Sequence, residues 1–111
     1  MKNFKTWLEG KTPFTPDHIL PNAYNSFPPH IRQRIPYMPG QKEIWIYHGG
    51  SWPDDPLIDI YPGDWITLSR SYAKTHAKMR GSNKVIKKKV PVEHVSWSGT
   101  DENEWFYTPP T

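Results

Sequence analysis

With 111 residues, thirteen prolines and six tryptophans, the chain is sized for one domain with a single modest core. A net charge of +3 permits a polyanionic partner without demanding one. The absence of cysteine removes disulfides, thiolate zinc sites and cysteine nucleophiles. No apolar run approaches the ~20 residues of a membrane span. Met1-Lys2-Asn3-Phe4-Lys5 is followed by no apolar leader core, so the expected compartment is the cytoplasm and no membrane partner is expected.

The first forty residues are punctuated by proline and end in Pro36-Tyr37-Met38-Pro39-Gly40, a turn-rich boundary. Thr15-Pro16-Asp17 can open a short helix through Leu20, because proline is tolerated in a first helical turn. Pro28-Pro29 ahead of His30 to Ile35 predicts a second single helical segment. Residues 1–40 are too few to hold a core alone, so they read as a Pro-rich cap on residues 41–111.

Glu43 to His48 is rich in aromatic and β-branched residues and predicts a strand, broken by Gly49-Gly50. Leu57 to Ile60 reads as a short strand or an extended edge. After the Pro62-Gly63-Asp64 turn, Trp65 to Leu68 predicts the next strand. Ser69 is placed to cap a helix from Arg70 to about Arg80, which Gly81 stops. Tyr72, Ala73, His76 and Ala77 share one face of that helix. Lys84 to Val92 alternates as a strand, with Val85, Lys87 and Lys89 on one face and Ile86, Lys88 and Val90 on the other. His94 to Trp97 and Glu104 to Thr108 complete five strands around one central helix. The expected class is α+β, with a small mixed β-sheet.

Three pieces of the second part carry chemistry. They are Ile44-Trp45-Ile46-Tyr47-His48-Gly49-Gly50, then Pro62 to Ser69 running into Arg70-Ser71-Tyr72-Ala73, then Trp97 to Tyr107 with Glu102-Asn103-Glu104 inside it. In this order they resemble the ADP-ribosyltransferases. The longer pattern, Tyr61 to Ala73, Lys88 to Val95 and Trp97 to Tyr107, is similar to a transferase-like domain of phage-encoded and toxin-like bacterial proteins. The resemblance covers about residues 42–110 and leaves the first forty residues without a counterpart.

The resemblance implies a sheet core of the ADP-ribosyltransferase type, with NAD as substrate. It implies mono-ADP-ribosyl transfer to a macromolecular acceptor, protein favoured over nucleic acid, or NAD hydrolysis. Glu104, second of the Glu-x-Glu pair, would be the catalytic carboxylate, and Glu102 would activate the acceptor. Tyr47, His48, Gly49, Thr67, Ser69 and Tyr72 would line the NAD pocket. There His48 would hold ribose hydroxyls, Thr67 and Ser69 would brace Glu104, and Tyr72 would sit against nicotinamide. The chemistry suits these residue types. Cleavage at the nicotinamide–ribose bond builds positive charge on the ribose, as in glycoside hydrolysis, and a fixed carboxylate stabilises it. His48-Gly49 is the element of the branch resembling diphtheria toxin and the poly(ADP-ribose) polymerases, whereas Ser69 and Glu102-x-Glu104 match the arginine-specific branch. If the chain is phage-encoded, its place of work is the host cytoplasm.

Without the resemblance, the same residues have plainer roles: an acidic turn at 101–104, a helix cap at Ser69, a strand end at His48 and a core aromatic at Tyr72. Two other functional classes compete. One is an inactive transferase-like scaffold that binds a partner protein, such as a phage inhibitor of a host defence system. The other is a small nucleic-acid-binding module built on Lys84, Lys87, Lys88 and Lys89 with Trp97 and Trp105 as stacking rings. Strand lysines alternate between faces, so the expectation is that they steer anions weakly and do not hold nucleic acid. The histidines at 18, 30, 48, 76 and 94 show no metal-ligand spacing, and no metal is expected.

Overall fold

Proline placement decides the start of what a computed structural model describes, residues 16–110. A 3-10 turn spans Pro16–His18, helix α1 spans Leu20–Ser26 and helix α2 spans Pro29–Arg32. Both helices carry a proline in their first turn, where the missing N–H leaves no helical bond unmade. Phe27, with φ −81° and ψ 145°, ends α1 in the extended conformation that a following proline imposes. The first expected segment is helical from Pro16, as a 3-10 turn, is interrupted where Ile19 forms an antiparallel bridge with Ser96, and resumes as α-helix at Leu20. The start of that expected segment, Thr15, lies outside the described residues.

Five strands follow: β1 Glu43–Gly49, β2 Trp65–Ile66, β3 Val85–Pro91, β4 Val95–Trp97 and β5 Trp105–Tyr107, with helix α3 Arg70–Met79 between β2 and β3. They form a β1–β3 pair and a three-stranded β2–β5–β4 sheet. The class is α+β, but the expected mixed sheet is corrected on two counts. All three strand pairings are antiparallel, and there are two sheets among the described residues. A helical crossover yields parallel neighbours only when it returns to its own sheet. Here α3 leaves β2 in one sheet and delivers β3 to the other. The sheets meet at one bridge, where Tyr47 and Thr67 exchange both backbone hydrogen bonds at 2.9 Å.

Leu57 to Ile60 forms no strand. Leu57 adopts φ +40°, a left-handed conformation that a ladder does not accommodate. Nearby carboxylates also capture the backbone donors: Leu57 N–H bonds Asp55 Oδ1 at 3.1 Å and Ile60 N–H bonds Asp59 Oδ1 at 2.7 Å. Lys88 Nζ holds the segment by donating to the Ile60 carbonyl at 3.1 Å.

Leu20, Ala23, Ile35 and Tyr37 join Ile44, Ile46, Ile66, Val90, Val95 and Trp105 in one buried cluster. Trp105 is fully buried, and its indole N–H is satisfied by the Glu102 carbonyl at 2.8 Å. No helix of the described residues is long and apolar enough to cross a membrane.

Helix α3 opens with Ser69 as cap, its Oγ accepting from Tyr72 N–H at 3.2 Å. Its buried Ala73 and Ala77 rest on the end of β1. A Cβ at Gly49 would stand 2.7 Å from the Ala73 carbonyl oxygen and 2.9 Å from Ala77 Cβ, so only glycine admits this approach. Gly49→Ala should therefore lower unfolding stability by about 1–3 kcal/mol through overpacking. Urea unfolding followed by circular dichroism checks this; an unchanged midpoint would show that the helix is free to move away.

Candidate active site

The hairpin turn between β4 and β5 is tied down by its own acidic residues. Asp101 Oδ1 accepts from Asn103 N–H at 2.7 Å, and the Asp101 carbonyl accepts from Trp97 Nε1 at 2.8 Å and from Glu104 N–H at 3.2 Å. This turn delivers Glu104 to the edge of β5 with both carboxylate oxygens held. Tyr72 OH donates to Oε2 at 3.1 Å and Thr100 Oγ1 donates to Oε1 at 3.1 Å. Burial first, then the hydrogen bond to Glu104 and the nearby acids Asp101 and Glu102, push the Tyr72 phenol above its ordinary value. Tyr72 therefore remains a protonated donor at neutral pH.

Beside this pair stands a small aromatic array. The His76 ring stacks on Trp65 with centroids 4.5 Å apart and planes 22° from parallel. Tyr72 lies 5.9 Å from His76 and 6.1 Å from Trp65. Burial, then the positive charge of Arg80, lower the basicity of His76 against a weaker opposing pull from Glu104.

The other predicted site residues divide. His48 is half-buried and its Nδ1 is hydrogen-bonded to the Trp65 carbonyl. A carbonyl only accepts, so Nδ1 is the donor in this bond and Nε2 is left outside it. Thr67 is fully buried and its Oγ1 accepts from Ser69 N–H at 3.2 Å. Ser69 Oγ serves the helix cap and lies 3.1 Å from Ser71 Oγ. The hydrogen bonds to Glu104 thus come from Tyr72 and Thr100, while Thr67 and Ser69 use theirs locally. Gly49 is packed against α3. Tyr47 bridges to Thr67 through its backbone and lines a cleft of about 370 Å³ with Arg70, Val85, Ile86 and Lys87. Glu102 faces the N-terminal region, where Arg34 Nη1 meets it at 3.3 Å. Arg34 is 63% exposed, so the pair is readily opened and contributes at most about 1 kcal/mol.

Thr100, Trp65, His76 and Arg34 extend the site beyond the sequence-predicted set. The i, i+4 spacing of Tyr72 and His76 on one helix face was a signal for His76. Arg34 had none, since 68 residues separate it from Glu102. The two rings that the competing nucleic-acid reading would use are engaged elsewhere: Trp105 is buried, and Trp97 packs against Phe27 at 4.8 Å and His18 at 5.9 Å. Among the described residues no group of three His, Asp or Glu is disposed to hold a metal ion.

Compared with protein-family models, curated proteins and solved structures, the chain matches none. The arrangement itself is a doubly held carboxylate next to a phenol and two further rings, at the point where β2, β5 and α3 converge.

His76 supplies a pH test of this geometry. Its folded-state basicity lies below that of the unfolded chain, whose histidine titrates near 6.5. Its contribution to stability is therefore complete above that pH and is lost as pH falls through the lower folded value. His76→Phe keeps a ring against Trp65 and removes the titration. The drop in melting temperature between about pH 7 and pH 5 should be smaller in the variant than in the wild type. Equal drops would mean that His76 is freely solvated.

Proposed function

We propose that the protein is an NAD-cleaving mono-ADP-ribosyltransferase with Glu104 as its catalytic carboxylate and a core of the ADP-ribosyltransferase type. The Tyr72–Glu104 hydrogen bond at 3.1 Å supports this most directly. It joins two segments that the resemblance assigns to a single pocket, and it aims the carboxylate before any substrate arrives.

In this reading the bond between ribose C1′ and the nicotinamide nitrogen breaks, and its electron pair leaves with nicotinamide. Glu104 faces the positive charge growing on the ribose. Tyr72 and Thr100 keep its oxygens oriented, so little reorganisation accompanies the charge development. Trp65, Tyr72 and His76 offer apolar ring surface for nicotinamide. His48 Nε2 accepts from a ribose hydroxyl, with Nδ1 anchored on the Trp65 carbonyl. The acceptor nucleophile then bonds to C1′, and Glu102, once released from Arg34, takes the acceptor's proton. A protein side chain is the favoured acceptor; water in its place gives NAD hydrolysis. A phage-encoded effector acting in a host cytoplasm suits this activity.

Glu104→Gln should lower nicotinamide release by a factor on the order of 10²–10³ while leaving NAD affinity within about twofold, because the carboxylate acts as charge develops. Nicotinamide release and calorimetric titration measure the two quantities. An absence of binding by the wild type at millimolar NAD would refute the proposal and favour the inactive partner-binding scaffold. His48→Ala should weaken NAD binding by about 1–2 kcal/mol, the loss of one or two hydrogen bonds to ribose hydroxyls. Unchanged affinity in the same titration would return His48 to the role of a strand end.

A further inference from the structure

The charged residues are unevenly distributed along the chain. From Arg70 through Val92 there are eight of the fourteen lysines and arginines and none of the eleven aspartates and glutamates. This stretch is α3, β3 and the turn that joins them, so the fold gathers the excess positive charge on one continuous segment and leaves the rest of the chain net negative.

The strand register determines which of these cations share a face. Trp45 stands opposite Lys89 and Tyr47 opposite Lys87, and α3 covers that same face farther along, at Gly49. Trp45 is 41% exposed, with Lys87 Nζ 4.5 Å and Lys89 Nζ 5.8 Å from its ring centre. Where this ribbon meets the first residue of α3, Tyr47, Arg70 and Lys87 line the cleft of about 370 Å³. A second depression of about 390 Å³ follows on the outer side of α3, lined by Ser71, Lys74, Thr75, Lys78 and Asn83. Neither lining contains a carboxylate. Lys88 points to the other face, where it pairs with Asp59 at 3.3 Å, and takes no part.

We propose that this face, from Trp45 and Lys89 past Arg70 to Lys78, binds single-stranded nucleic acid. A row of cations, bounded by Glu43 two residues before Trp45, follows a phosphate backbone, and each neutralised phosphate releases counterions. The hydroxyls of Ser71 and Thr75 and the amide of Asn83 add neutral donors suited to phosphate oxygens. The exposed indole of Trp45 gives an unpaired base a stacking surface, which a duplex, its bases already stacked inside, cannot use. An acidic protein surface would answer the lysines but not the indole. Tyr47, expected in the NAD pocket, is shared with this face, but no residue holding Glu104 belongs to it, so the Trp45 and lysine variants test the inference separately from NAD cleavage.

Fluorescence polarisation with a labelled oligothymidylate of about 20 nucleotides tests it, titrated across roughly 50–200 mM salt. The wild type should bind, with affinity falling linearly on a log–log plot. The double variant Lys87→Gln, Lys89→Gln should flatten that slope by about 1.4, or ~0.7 for each phosphate of a single strand that is no longer neutralised. Trp45→Ala should weaken binding about 5- to 150-fold at fixed salt, with the slope unchanged, because it removes stacking and no charge. Arg32→Gln, on α2 outside the basic segment, should leave the slope as it is. Circular dichroism confirms that each variant is folded. The proposal is overturned by no binding at the lowest salt, by equal competition from a duplex or from polyglutamate, or by a Trp45→Ala protein that binds as the wild type does.

Discussion

Two backbone hydrogen bonds between Tyr47 and Thr67 hold the two sheets of the fold in one frame. In energy they are modest, about 0.5–1.5 kcal/mol each after the exchange with water. In geometry they have no substitute among the described residues, because they form the bridge between the β1–β3 pair and the β2–β5–β4 sheet. With Tyr47 fixed against Thr67, the next residue of β1, His48, reaches the Trp65 carbonyl. Two residues past Thr67, Ser69 caps α3 and so sets the direction in which Tyr72 extends. The Tyr72–Glu104 contact then follows from the pairing of β2 with β5, which sets Ile66 opposite Trp105.

Packing and chemistry use the same elements from opposite sides. The side of α3 with Ala73 and Ala77 closes on Gly49 at a distance that only a residue without a side chain permits. The neighbouring stripe with Tyr72 and His76 turns toward Trp65 and the acidic hairpin. The outer side, with Lys74 and Lys78, faces solvent and joins the basic ribbon of β3. A ten-residue helix thus separates a negatively charged turn from a positively charged face. That separation lets the Glu104 carboxylate and the lysines coexist without pairing with one another.

Legibility from the sequence followed the range of the interactions involved. The strand from Glu43 to His48, the Ser69 cap, the helix after it and its stop before Gly81 depend on neighbours within a few residues, and composition and spacing carry that information. Leu57 to Ile60, read as a short strand or an extended edge, forms no strand for a local reason of another kind: Asp55 and Asp59 bond the very backbone donors that a ladder requires. The mixed sheet failed for a global one, since nothing in a strand's own residues says to which sheet a crossover returns.

The sequence by itself determined the class, the positions of most elements, the acidic turn that presents Glu104 and the run of cations from Arg70 to Lys89. These are properties of short segments, set by backbone propensity and by charge written along the chain. Only the tertiary structure decided which rings are available and which polar groups meet. It buried Trp105, packed Trp97 against Phe27, left Trp45 exposed beside Lys87 and Lys89, and turned Glu102 toward Arg34. It also assigned the bonds to Glu104 to Tyr72 and Thr100 in place of Thr67 and Ser69. The reason is physical: a side chain's partner depends on register, sheet pairing and burial, all set by contacts between residues far apart in the chain.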